Sequence, residues 1–291
     1  MSARQNALSS PGPRVPSPEP RIPSPDRIRS TRLATIQAAV RRELAEQRLN
    51  RFLHVHLTLC AIVGLLPLFT PDAADRSAPA WVLQAVLYCL SLSSLLLGLS
   101  GAHGDADEFP VLFTQPVARE TWLAGKSPAL AALLLPSSIL TIAPAALTAG
   151  ISPVLAFVGA AAAGVCLSMA LLGLAVGFWV RDHVRGLLLA LGVWFVLLFG
   201  IDLLLLAVAG APSVQAHPDL WALPLMLNPL SALRVTMLFA IERTAPASIG
   251  AGRVAGWWLN HSGPWLTGML LTWTAAAFAV SAAGARRRVD I

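Results

Sequence analysis

Residues 127–180 read SPALAALLLPSSILTIAPAALTAGISPVLAFVGAAAAGVCLSMALLGLAVGFWV, 54 positions without a Lys, Arg, Asp or Glu. A bilayer crossing needs about 20 mostly apolar residues, each rising about 1.5 Å. The stretch is too long for one crossing. Its break, Ala149-Gly150-Ile151-Ser152-Pro153, holds residues that end one helix and start another. It therefore reads as two crossings, 127–149 and 153–180.

Working outward, the same pattern recurs. Residues 52–71 carry no charge, 79–102 carry none, and 186–209 carry only Asp202. A last apolar run covers 264–285. Hydrophobic residues make up 56% of the 291-residue chain and charged residues only 12%. So few charges cannot cover a soluble surface of this size. The expected fold is an all-α polytopic membrane protein with six transmembrane helices.

Orientation follows from the basic residues, which stay on the cytoplasmic side. Ten Arg, from Arg4 to Arg51, precede the first span. Arg119 and Lys126 follow the second, Arg181 and Arg185 follow the fourth, and Arg286, Arg287 and Arg288 follow the sixth. That places 17 of 21 basic residues on one side and leaves Arg76, Arg234, Arg243 and Arg253 on the other. Both termini are expected in the cytoplasm, with the chain in the inner (cytoplasmic) membrane. The net charge of +6 follows from this rule and from the anionic inner leaflet. No basic patch interleaves with aromatics, so no nucleic-acid partner is implied.

Residues 1–32 are rich in Pro, Ser and Arg, with no apolar period, and are expected to be a disordered cytoplasmic tail. The remaining 33–291 form the membrane domain. From Leu33 the apolar residues Ile36, Val40 and Leu44 recur at helical spacing, opposite Arg41, Arg42, Glu43, Glu46 and Arg48. This predicts an amphipathic interfacial helix leading into span one. Between the last two spans, Asn228-Pro229 opens a second pattern with Leu230, Leu233, Met237, Leu238 and Ile241 on one stripe. Flanked by Trp221, Trp257, Trp258 and Trp265, it predicts a re-entrant or interfacial helix near the outer surface.

Candidate chemistry is sparse. No GxxxxGK[ST] loop occurs, so ATP, if used, is bound by another subunit. Gly98-Leu99-Ser100-Gly101 has the GxSG form of rhomboid-like intramembrane serine proteases. Small residues at a tight helix crossing explain it equally well. His54 and His56 sit about 200° apart on a helix, so they do not share a metal and read as membrane-interface histidines. His103, Asp105, Asp107 and Glu108 read either as a cation site or as a solvated acidic loop. Cys60, Cys89 and Cys166 fall in three different spans and read as small buried hydrophobes. Catalytic, cofactor and metal residues are therefore none. Asp202 is a costly charge within span five, either a translocation-path residue or the partner of Arg234 or a backbone group.

The segment between spans two and three, DADEFPVLFTQPVARETWLAGK (105–126), is a charged insert in an oily chain. Phe109, Val111, Leu112, Phe113 and Trp122 are apolar groups stranded within it, as at a partner surface or against the lead-in helix. Its second half, Gln115-Pro116-Val117-Ala118-Arg119, then Leu123, then Gly125-Lys126, resembles the QPVSR…L-x-GK segment of the permeases of type-2, exporter-like ABC transporters. Asp107-Glu108-Phe109 stands where that family usually has Gly-Thr-Leu. The NPxxxxR pattern at Asn228–Arg234 is similar to the permease of the nitrous-oxide reductase maturation transporter.

The resemblance implies a membrane-spanning permease subunit, working as a homodimer or with a paired permease. It implies an ABC ATPase subunit that binds the ATP and docks on Phe109, Leu112, Phe113, Gln115, Pro116, Arg119 and Lys126. The narrower match implies a role in copper-enzyme maturation, with an accessory protein on the outer side. Two other classes fit the same chain: the intramembrane protease and a membrane scaffold that transports nothing.

Overall fold

The computed structural model describes residues 25–47, 50–69, 77–112, 119–208, 210–212, 216, 218–242 and 253–289. The protein is an all-α polytopic membrane protein. Six helical stretches are long and apolar enough to cross a bilayer: Arg51–Phe69, Pro79–Asp105, Trp122–Thr148, Pro153–Trp179, His183–Val208 and Ser262–Arg287. Each lies within about five residues of its expected bounds, because charge-free length is a strong signal.

The lead-in helix α1 (Pro25–Gln47) starts eight residues before the apolar period does. Pro25 followed by Asp26 suits a first helical turn, so the helix starts there rather than at Leu33. Residues 1–24 of the expected tail lie outside the described residues. Span one is α2 (Arg51–Leu65), which Asn50 caps by accepting from the Phe52 N–H at 2.9 Å, and it closes in a 3-10 turn, Leu66–Phe69. Span two joins α3 (Ser77–Gln84) to α4 (Ser91–Leu112) through a π-helical segment, Ala85–Leu90. Span three is α5 (Arg119–Ala149) and span four is α6 (Pro153–Trp179). Gly150 between them takes φ +78°, and Ser152 Oγ caps α6 by accepting from Leu155 N at 3.1 Å.

Span five joins α7 (His183–Phe195) to α8 (Ile201–Val208) through a second π-helical segment, Val196–Gly200. Then come α9 (Pro218–Leu227), α10 (Pro229–Glu242) and α11 (Arg253–Asn260), before span six in α12 (Ser262–Val289). The spans alternate in direction. One end of the bundle therefore gathers α1, the end of α4 and the start of α5. We call it the α1 end; α9–α11 lie at the far end.

Helix α6 is the centre, packed on α4 and α12 and also against α5, α7 and α10. The α4–α6 crossing leaves no room for a side chain at its glycines. A methyl group at Gly98 would collide with the Ala170 backbone, and one at Gly173 with the carbonyl of Leu95. Small residues four apart, Gly98 with Ala102 and Gly173 with Gly177, make that approach possible. The GLSG quartet is part of this crossing.

Polar bonds pin the other contacts. Trp194 Nε1 donates to Ser91 Oγ at 2.9 Å, joining the two π-interrupted spans. His56, only 1% exposed, meets Ser93 Oγ at 2.7 Å through Nδ1. His56 is thus not an interface histidine: it faces the protein interior, while His54, two residues away, is exposed. Cys60 and Cys166 are fully buried and Cys89 half-buried, as expected of small apolar groups.

Two expectations are corrected. The acidic stretch 105–112 is not a loop but the last turns of α4. It contains no helix breaker before Pro110, and a charged composition alone does not end a helix. Second, the polar face of α1 is not all solvated, since Glu43 and Gln47 are buried against the protein.

Candidate functional site

Gly125-Lys126, the end of the motif, lies where α5 crosses α1. A Cβ at Gly125 would sit 2.6 Å from the Ala39 Cβ and 3.2 Å from the Ile36 carbonyl, so only glycine lets the helices touch there. One residue on, Lys126 turns inward and is 1% exposed. Its Nζ is 2.6 Å from Glu43 Oε1 on α1 and 2.7 Å from Asp105 Oδ2 at the end of α4. The one lysine of the chain thus ties three helices together.

The cluster continues along α1. Gln47 Nε2 donates to Glu43 Oε1 at 2.8 Å, and Asn50 Nδ2 donates to Gln47 Oε1 at 2.7 Å. Beyond it, on the solvent side, Arg42 Nε pairs with Glu46 Oε1 at 2.5 Å. Lys126 also lies 5.6 Å from the centre of the Trp122 ring, which packs on Phe178 at 6.1 Å. Trp122 is 7% exposed and packs into the bundle.

Two carboxylates share one ammonium at the core of the cluster. Charges buried to this degree are held only because each is paired and hydrogen-bonded. The arrangement ties α1 to the end of α4 and the start of α5. Sequence reading picked out Lys126 but neither Glu43 nor Asp105 as its partners. The available signal was that Glu43 and Gln47 share a face of α1 at i, i+4 spacing.

The other expected coupling residues are placed less fully. Phe109 and Leu112 lie in the final turns of α4 and Arg119 opens α5; their side chains, like those of Asp107 and Glu108, lie outside the described residues. Phe113, Gln115 and Pro116 lie outside them altogether, as does the side chain of Trp221. Among the described residues no group of three or more His, Cys, Asp or Glu could hold a metal ion.

At the far end, Asp202 in α8 forms an ion pair with Arg234 of α10, joining Oδ2 to Nη2. Asn228, just before α10, ties that helix to the π-helical segment of the same span: its Oδ1 accepts from Leu230 N at 3.0 Å, and its Nδ2 donates to the Leu197 carbonyl at 2.5 Å. The NPxxxxR pattern therefore folds as a capped helix docked on span five. The α10 stripe is buried at Leu230, Leu233 and Met237, while Leu238 is 39% exposed. Trp265 Nε1 donates to Met226 O at 3.2 Å and Trp273 Nε1 to Leu227 O at 2.9 Å, which fastens α9 to span six.

His261, just before α12, lies at the far end and meets the Trp257 carbonyl at 2.9 Å through Nδ1, so it is not beside Ser100, which lies near the α1 end. His103, on Ser100's own helix, donates from Nε2 to Val180 O at 3.0 Å. Set against known protein families and curated protein sequences, the chain matches none of them.

Proposed function

We propose that this chain is the membrane-spanning permease subunit of an ABC transporter, driven by a separate ATP-binding subunit. The α1 end faces the cytoplasm in this reading, since most of the Lys and Arg lie there, and the membrane is the inner one. The single observation that carries the reading is the junction at Gly125-Lys126. An external motor needs a stiff element through which to move transmembrane helices, and Lys126 clamps the motif-bearing segment to α1 and α4.

In this mechanism the ATPase docks on the α4–α5 connection, through Phe109, Leu112, Phe113, Gln115, Pro116 and Arg119. Closure of the motor tilts that connection, and the buried cluster passes the tilt into spans two and three. A second copy, or a paired permease, supplies the other half of the path. Asp202 belongs to the outer part of the structure in this account, with Arg234 as its partner.

The test is substrate-stimulated ATP turnover of the reconstituted complex. Phe113→Asp is expected to abolish stimulation while leaving membrane insertion intact. Normal turnover would remove the connection from the coupling role. A Ser100-dependent cleavage of a reporter peptide by the chain alone would replace the transporter reading with the protease.

A further inference from the structure

Spans four and six end side by side at the α1 end, where α6 packs along α12. Trp179, the last residue of α6, lies against the end of α12 and is 47% exposed. Its Nε1 donates to the Val280 carbonyl at 3.0 Å, and the Arg287 guanidinium stands over the indole, 5.2 Å from the ring centre. Val280, Gly284 and Arg287 follow one another at spacings of four and three, so they share one face of α12. The indole needs that glycine: a Cβ at Gly284 would sit 2.7 Å from its Cδ1. A half-exposed ring is thus fixed in place beneath an exposed cation.

The chain then leaves the helix. Val180 is extended, with φ −112° and ψ 115°, and the exposed Arg181 follows it. Two residues span at most about 7 Å, so Arg181 starts within a side chain's length of the indole. Among the described residues neither Arg181 nor Arg287 forms an ion pair. The neighbouring carboxylate, Asp182, is turned to α7, where it accepts from Arg185 N at 2.8 Å and has the Arg185 charge beside it. Arginine stays protonated throughout the ordinary pH range, so this corner keeps two unpaired positive charges.

An apolar strip leads away from those charges into the bilayer. Ala276, Val280 and Ala283 recur at helical spacing on the face that ends in Arg287, and all of them are exposed. The small alanines keep the strip shallow. Tryptophan and arginine at the end of a span lie at headgroup depth, and the strip lies at the depth of the acyl chains.

We propose that this corner docks one anionic phospholipid of the leaflet at the α1 end. The phosphate sits between Arg181 and Arg287, the glycerol rests on the indole, and one acyl chain follows Val280 and Ala276. A guanidinium presents a planar fork of N–H donors that matches phosphate oxygens. A choline headgroup brings its own cation close to the two arginines, which repel it, so a head of net negative charge is preferred. The inference stands whether or not the chain is a permease.

The test uses the full chain, purified in mild detergent, with bound lipid counted by native mass spectrometry. Phosphatidylglycerol and phosphatidylcholine with the same acyl chains are titrated in parallel. Phosphatidylglycerol is expected to bind about tenfold more tightly. Arg181→Gln and Arg287→Gln should each lower its affinity about fivefold, the worth of one basic residue beside an anionic lipid surface, and leave phosphatidylcholine unchanged. Arg51→Gln removes the same charge from the exposed start of α2, at the same end of the bundle, and should change neither. Equal affinity for the two lipids would overturn the proposal, as would undiminished phosphatidylglycerol binding when both Arg181 and Arg287 are replaced. An equal loss in Arg51→Gln would also overturn it, by assigning the preference to the overall positive charge. Displacement of the lipid by inorganic phosphate would leave an anion site in place of a lipid site.

Discussion

Among the described residues, two sets of paired charges join different helices, one at each end of the bundle, and they are built differently. At the α1 end, Lys126 is 1% exposed and its partners Glu43 and Asp105 have side chains 6% and 13% exposed. At the far end, the side chains of Arg234 and Asp202 are 20% and 33% exposed. Asp202 stands six residues, about 9 Å of helix rise, from the end of α8, within reach of the interface. The first set joins three helices that are distant in sequence. The second fastens one surface helix to one span. The difference teaches that a charge in an oily chain is no uniform sign of function: burial, and the number of elements joined, decide what its loss would do.

The largest effect is expected for Lys126→Met. It leaves the Glu43 and Asp105 carboxylates buried without a cation, and removing one side of a buried pair costs about 3–5 kcal/mol. Unfolding of the purified protein in detergent should show that loss as a much lower midpoint. Glu43→Gln is milder, because Asp105 still pairs with Lys126 and the amide oxygen still accepts from Lys126. It should cost about 1 kcal/mol, the difference between a charged and a neutral hydrogen bond. A loss as large as that of Lys126→Met would mean that Asp105 alone does not hold the ammonium.

At the far end the expected effects are smaller. A double-mutant cycle of Asp202→Asn with Arg234→Gln should give a coupling below about 1 kcal/mol, as for partly solvated pairs. A coupling of several kcal/mol would erase the contrast between the two ends. The smallest net effect is expected for the triple variant Glu43→Met, Asp105→Leu, Lys126→Met. Replacing a whole buried charge group by apolar residues is often near neutral in stability. This variant separates roles: full stability with lost ATPase stimulation would assign the cluster to coupling, whereas unchanged stimulation would make it only a structural clamp.

Much of the fold is legible in the sequence, for physical reasons. Charge-free runs of this length have one use, and Gly150, Ser152 and Pro153 mark the turn between two of them in residues that suit caps and first turns. The π-helical segments 85–90 and 196–200 are not legible, because their composition is that of the helices around them. Nor are the last turns of α4, where acidic residues suggest a loop although nothing breaks the helix. The site is half legible. Lys126 is marked by its motif, but Glu43 looks like one more solvated acid on a polar face, and the separation of 83 positions between them carries no periodic trace of their contact. For Asp202 the sequence offers a path residue or a partner of Arg234, and the structure forms the pair.

The most direct test of the proposed function is to purify the tagged chain from its native membranes under mild detergent and quantify what comes with it. The permease reading predicts an ATPase carrying a Walker motif, in near one-to-one ratio with this chain and depleted by Phe113→Asp. A folded, monodisperse preparation containing no such ATPase would contradict it.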